Sequence, residues 1–166
     1  MRVPIRKPGK YTHAKLDAHL TEEKFNELKR KLNHLKTVSH PQAAVEVTRL
    51  AEMGDFSENA AYQMAKGRLR GINNRILELE DLINRATLIK PAHNAKTVQL
   101  GSTVTVEMGD KQQRYVILGS AEANPAKGII SQHSPIGSAL MEHAQGDIIA
   151  LSLAKKRVTC RIISID

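Results

Sequence analysis

The residues whose types and spacing could do chemistry stand in one short stretch, "MGDFSENAAY", Met53 to Tyr62. Asp55 and Glu58 are three apart in it, with Ser57 and Asn59 beside them. Two readings fit. In the first the pair caps a helix: Asp-x-x-Glu has the spacing of a capping box, where one side chain takes an amide of the incoming helix and the other reaches back. Gly54 gives the turn a permissive backbone, and Ser57 is an alternative cap. Local physics favours this reading. In the second reading the carboxylates bind a hard cation. Mg²⁺ prefers oxygen ligands and often takes only one or two carboxylates, keeping water in its other positions. Two acids alone hold it weakly, so the remaining ligands would come from a partner. In two-metal phosphoryl chemistry such an ion activates water or stabilises the leaving oxygen.

Nothing else in the chain offers a full catalytic constellation. His93, His133 and His143 are scattered, without Ser-His-Asp or metal-ligand spacing. The single cysteine, Cys160, lies in the alternating stretch "RVTCRIISID" and reads as a buried structural thiol. One cysteine excludes an intramolecular disulfide and suits a reducing compartment. The chain is therefore not read as a complete enzyme, and no cofactor of its own is expected.

The acidic stretch sits between two amphipathic runs. Thr21, Glu22 and Glu23 read as a helix start, with acids facing the positive end of the dipole. Phe25, Leu28, Leu32 and Leu35 follow at spacings of 3, 4 and 3, a coiled-coil seam. Pro41 has no amide hydrogen and is expected to kink or interrupt the helix, which resumes through Ala44, Val47 and Leu50 or Ala51. The second run is cleaner. Ala65, Leu69, Ile72, Ile76, Leu79, Ile83 and Ala86 keep spacings of 4 and 3, and Gly67 and Gly71 fall off that seam. Residues 58–86 as a helix would span about 43 Å. Two such runs predict an antiparallel helical hairpin over 21–89, with an acidic tip at 54–59. Each helix has one narrow stripe to bury, so the hairpin is expected to project.

Residues 1–20 read as a basic arm, broken by Pro4, Pro8 and Gly9, with room for a short helical turn within Ala14–Leu20. Residues 90–100 are polar and read as a linker. From 101 to 166 the period becomes two: "STVTVEM", "QRYVILG", "KGIISQH", "GDIIALSL" and "KRVTCRIISI" predict five strands. One short helix interrupts them, "SPIGSALMEH", capped by Ser134 with Pro135 at its first position. The fold class is α+β in two domains: a helical hairpin, then a small antiparallel β domain with one helix.

The charge is +8 over 166 residues, with 17 Lys+Arg against 11 Asp+Glu in 1–90 and 8 against 6 in 91–166. A polyanion or an acidic protein face fits that balance. Aromatics are 3% and Trp is absent, which argues against a base-stacking nucleic-acid module. No apolar run is long enough to cross a bilayer and no signal peptide is visible, so a cytoplasmic monomer without membrane contact is expected.

"MGDFSENAAYQMAKGRLRGINNRI" resembles the hairpin tip and second helix of the bacterial Gre factors, GreA and GreB. "LTEEKFNELKRKLNHLK" is similar to their first helix, and the stretch from "GSTVTVEM" through "ISQHSPIGSAL" to their C-terminal domain. The resemblance runs from about Leu20 to the end. It implies a transcription elongation factor: a coiled-coil hairpin followed by an FKBP-like domain that docks on RNA polymerase at the mouth of the secondary channel. It implies that Asp55 and Glu58, supported by Ser57 and Asn59, reach the polymerase active site and help hold a shared Mg²⁺ and the attacking water. The polymerase then hydrolyses its own backtracked 3′ RNA. It places His133, Ser134 and Pro135 in the polymerase-docking loop. Lys66, Arg68, Arg70 and Arg75, each a solvated surface residue when read alone, together resemble the GreB patch that contacts the extruded 3′ RNA. "GRLRGI" and "LNHL" are nearer to GreB than to GreA.

Three positions depart from the pattern. Ala61 stands where Gre factors commonly carry an acid, His133 where Asn or Asp usually precedes Ser-Pro, and Lys24 where Gly is usual. The arm has no counterpart. The loss of the acid at position 61 leaves open a second reading, a channel-binding inhibitor of RNA polymerase that does not stimulate cleavage. A prolyl isomerase is the reading from another class. It would need an aromatic pocket, and the C-terminal half holds only Tyr115. A general coiled-coil DNA-binding protein is weaker still.

Overall fold

The computed structural model describes residues 17–53, 60–90, 95–109, 111–153 and 156–166. The chain forms two compact units: Ala18–Pro91, and Ala92–Asp166 together with Asp17. The acidic tip, Asp55, Ser57, Glu58 and Asn59, lies outside the described residues.

The first unit is helical. Helix α1, Glu22–His34, starts at Thr21, whose Oγ1 accepts from the Lys24 amide at 3.2 Å. A five-residue π-helical segment, Leu35–Ser39, leads into α2, His40–Glu52. The helical path therefore continues past Pro41 without a break. The π segment supplies the reason: the His40 amide reaches the Leu35 carbonyl, and Pro41 enters at the start of α2, where its missing donor costs little. The wider turn also resets the seam. Continuing the 3–4 spacing from Leu35 would bury positions 42 and 49. Ala43 and Leu50 are buried instead, each one residue later, which is the extra residue a π turn accommodates.

Helix α3, Ala60–Asn84, carries the second seam, with Ala65 and Leu79 buried and Leu69, Ile72, Ile76 and Ile83 half-buried. It ends two residues before the expected Ala86, because the chain turns extended to pair. Strand β1, His19–Leu20, runs parallel to β2, Thr87–Leu88, with the Thr87 amide donating to Ala18 and the Ile89 amide to Leu20, both at 2.8 Å. Ala18–Leu20 thus belongs to the hairpin unit rather than to the arm, and His19–Leu20 is a strand rather than a helical turn. Leu20 is fully buried, and that burial holds the segment there.

The second unit is a five-stranded sheet in the order β5-β4-β3-β7-β6. Its strands are β3 Thr103–Met108, β4 Lys111–Leu118, β5 Ile129–Ser131, β6 Ile148–Leu153 and β7 Lys156–Ile165. Only the β4–β5 pair is parallel. The β3–β7 register shifts between Thr105 and Val106, which leaves Ile163 as the extra residue, and the Gln145 side-chain amide donates to its carbonyl at 2.8 Å.

One face of the sheet and the short helix α4, Pro135–Leu140, enclose the core: Val104, Val106, Ile117, Ile130, Leu140, Ile149, Leu151, Cys160 and Ile162. Cys160 is fully buried, and burial pushes its thiol up. Val98 also lies in this core, fully buried, with its amide donating to His143 and its carbonyl accepting from Glu142. The end of the segment read as linker is therefore part of the domain. Its two apolar residues, Val98 and Leu100, made a pattern too short to register as a strand. Helix α4 begins as expected, with Ser134 Oγ accepting from the Gly137 amide at 3.0 Å. It packs so closely on β5 that a Cβ at Gly137 would lie 2.1 Å from the Ser131 carbonyl oxygen, so no side chain fits there. Among the described residues no helix is long and apolar enough to cross a membrane.

Candidate functional site

Two ion pairs join the arms of the hairpin. Lys36 meets Glu80, and Glu46 meets Arg68 at 3.4 Å. Positions 36 and 80, like 46 and 68, lie symmetrically about residues 57–58, so the helices are antiparallel. The six residues between Met53 and Ala60, which include Asp55 and Glu58, connect their ends. These pairs are exposed and each contributes at most about 1 kcal/mol. The seam holds the helices together. Ala61 is described and exposed. It lines a shallow groove with Leu50, Met64 and Ala65, edged by Arg49 and by the Glu46–Arg68 pair, so where the family commonly has an acid this surface is apolar at its centre. Met64 is 76% exposed there.

The four basic residues of α3 do not share one face. At about 100° per residue, Lys66 and Arg70 project together, while Arg68 and Arg75 project together from the far side. The second pair is engaged: Arg68 with Glu46, and Arg75 with Glu78 at 2.8 Å. The Lys66 ammonium lies 5.9 Å from the Tyr62 ring centroid, at the edge of cation–π range. Arg70 is exposed and makes no ion pair among the described residues. Lys24, another departure, pairs with Glu27 at 2.9 Å on the surface and holds that carboxyl below its usual range.

His133 and Ser134 lie between β5 and α4, and Pro135 is the first residue of α4. Ser134 and Pro135 are used in starting the helix. The ring of His133 is exposed, and its Nε2 lies 3.2 Å from Asp17 Oδ2. Asp17 accepts from the Ser120 amide at 2.9 Å and from its hydroxyl at 2.8 Å. Ser120 Oγ is 2.9 Å from Ser131 Oγ, which accepts from the His133 amide at 3.1 Å. Sequence reasoning missed Asp17, since no local pattern pairs a residue of the arm with residues more than a hundred positions away. Among the described residues no group of three or more His, Cys, Asp or Glu side chains is arranged to hold a metal.

Two family models match the chain: "Transcription elongation factor, N-terminal" over residues 18–88 and "Transcription elongation factor, GreA/GreB, C-term" over 92–166. Curated relatives include transcription elongation factor GreA of Nautilia profundicola, 39% identical over 137 residues, covering 81% of this chain and 85% of that one. GreA of Thermomicrobium roseum is 35% identical over 148 residues, covering 88% and 95%. Among solved structures, GreA factor homolog 1 (Gfh1) of Thermus thermophilus is 27% identical, covers 89% of this chain and 97% of its own, and superposes with a TM-score of 0.41, too low to carry an argument about fold. The two models meet within a few residues of the boundary between the compact units and together span nearly all of the described residues, so the chain belongs to the GreA/GreB family of transcription elongation factors.

Proposed function

We propose that this protein binds RNA polymerase, passes its hairpin through the secondary channel and places Asp55 and Glu58 at the polymerase active site, so that the polymerase hydrolyses its own backtracked 3′ RNA. The observation that carries this reading is the register of the hairpin. An antiparallel pair of helices symmetric about residues 57–58 supports a tip at which the acidic stretch joins the two arms. With α3 about 37 Å long at 1.5 Å per residue, that end is remote from the base at β1 and β2. The donor set, two carboxylates with Ser57 and Asn59 as neutral neighbours, suits a hard cation and is too small to retain one alone. A Mg²⁺ shared with the polymerase would supply Lewis acidity and water activation there. The residues of this chain supply anionic oxygens and their placement.

The test is transcript cleavage. The protein alone leaves RNA intact, and added with Mg²⁺ to a defined backtracked elongation complex it releases a short 3′ fragment. Slowed nucleotide addition with no fragment would instead favour the channel-binding inhibitor, the reading kept alive by Ala61.

Contacts to the extruded RNA are expected from Lys66 and Arg70 rather than from all four basic residues, because Arg68 and Arg75 are already paired. Replacing Lys66 and Arg70 with Ala should weaken association with backtracked complexes. It should also flatten the salt dependence, by about 0.7 in log–log slope for every RNA phosphate that is no longer neutralised. Replacing Arg68 and Arg75 should change the slope less. Equal effects from both pairs would contradict the assignment.

A further inference from the structure

The network around Asp17 has a proton order that can be read from its members. Asp17 is a nearly buried carboxylate, 11% exposed at the side chain, and accepts at both oxygens. A serine hydroxyl has one proton, and that of Ser120 goes to Asp17. The Ser131 hydroxyl must therefore donate to Ser120, and its oxygen is left to accept the His133 amide. His133 Nε2 lies 3.2 Å from Asp17 Oδ2, and an ionised carboxylate only accepts. Of the two neutral tautomers, the one with its proton on Nε2 suits this contact. The ring is 66% exposed, and Nδ1 has no partner among the described residues.

We propose that Asp17 is a positioning residue for docking: it fixes the His133 ring so that Nδ1 faces outward as a hydrogen-bond acceptor for a donor on the polymerase surface. This rests on the reading that His133, Ser134 and Pro135 dock on polymerase. The carboxylate acts at two points of the loop. It orients the ring directly, and through Ser120 and Ser131 it holds the His133 backbone amide. Outer partners of this kind commonly fix the tautomer and direction of an imidazole that contacts something else.

The experiment is a mutant cycle read by polymerase binding and by cleavage. In Asp17→Ala the half-saturating concentration should rise about tenfold, the scale on which loss of an orienting partner is felt, while the plateau cleavage rate stays the same. His133→Ala should cause a similar rise, and the double variant no more than either single one, because Asp17 acts through His133. Nitrogen NMR of the His133 ring should show the Nε2–H tautomer in the wild type and its loss in Asp17→Ala. If Asp17→Ala fails to fold by circular dichroism, Asp17→Asn carries the same cycle, since the amide oxygen still accepts from the Ser120 amide. An unchanged half-saturating concentration, additive single effects, or an Nδ1–H tautomer in the wild type would each overturn the proposal alone. Absence of polymerase binding by the wild type would overturn the docking reading and the proposal together.

Discussion

Replacing Asp55 with Asn and Glu58 with Gln in one protein should lower 3′ fragment release by about a hundredfold or more, the scale on which removing a preorganised charged group is felt at a reacting centre. Affinity for RNA polymerase should change little. The pair of substitutions is chosen because it separates the two readings of the acidic stretch. Asn caps a helix as well as Asp does, and Gln serves in a capping box as Glu does. If the two side chains only start α3, the double variant is silent in both folding and cleavage. If they supply anionic oxygen to a hard cation, neutral amides of the same size fail, because such an ion needs charge as well as shape. The measurement is fragment release from a backtracked complex at saturating protein, beside competition with the wild type for polymerase. Undiminished release would end the assignment of the tip.

Leu79→Ala should destabilise the helical unit by about 2–5 kcal/mol, whereas Leu77→Ala, two residues away on the same helix, should stay within about 0.5 kcal/mol. Leu79 is 1% exposed and Leu77 is 64% exposed, so only the first leaves a cavity. The loss is severe in context. Among the described residues the unit has few buried apolar side chains, Leu20, Leu28, Ala43, Leu50, Ala65 and Leu79, and its exposed ion pairs add little. Hydrogen exchange would localise the effect. Amides of α1–α3 should lose protection in Leu79→Ala while those of β3, β4 and β7 keep theirs. Equal losses in both units would show that the two unfold together.

The seam of α3 was legible in its spacing, because a 3–4 pattern has only one helical stripe on which to lie. Ser134 and Pro135 were legible for a similar reason, since a hydroxyl followed by a residue without an amide hydrogen suits one place in a helix. The passage past Pro41 was not. Proline reports only that one donor is missing. Whether the helix breaks, kinks or widens depends on keeping the next apolar residues against the opposite arm, and the π turn does so by moving burial to Ala43 and Leu50. The four basic residues of α3 are close in sequence, but angle around the axis separates them, and Glu46 from the other helix engages one of them.

By itself the sequence determined the two-domain α+β plan, the two helical runs of the hairpin, the alternating strands and the family. All of these rest on period, local turn chemistry or contiguous motifs, which are properties of neighbouring residues. Tertiary structure decided that Ala18–Leu20 pairs with the end of the hairpin, that Val98 completes the core of the sheet, and that Asp17 meets Ser120 and His133. Each of these joins segments far apart in the chain. Burial and hydrogen-bond satisfaction select such pairings only once the backbone has brought the segments together.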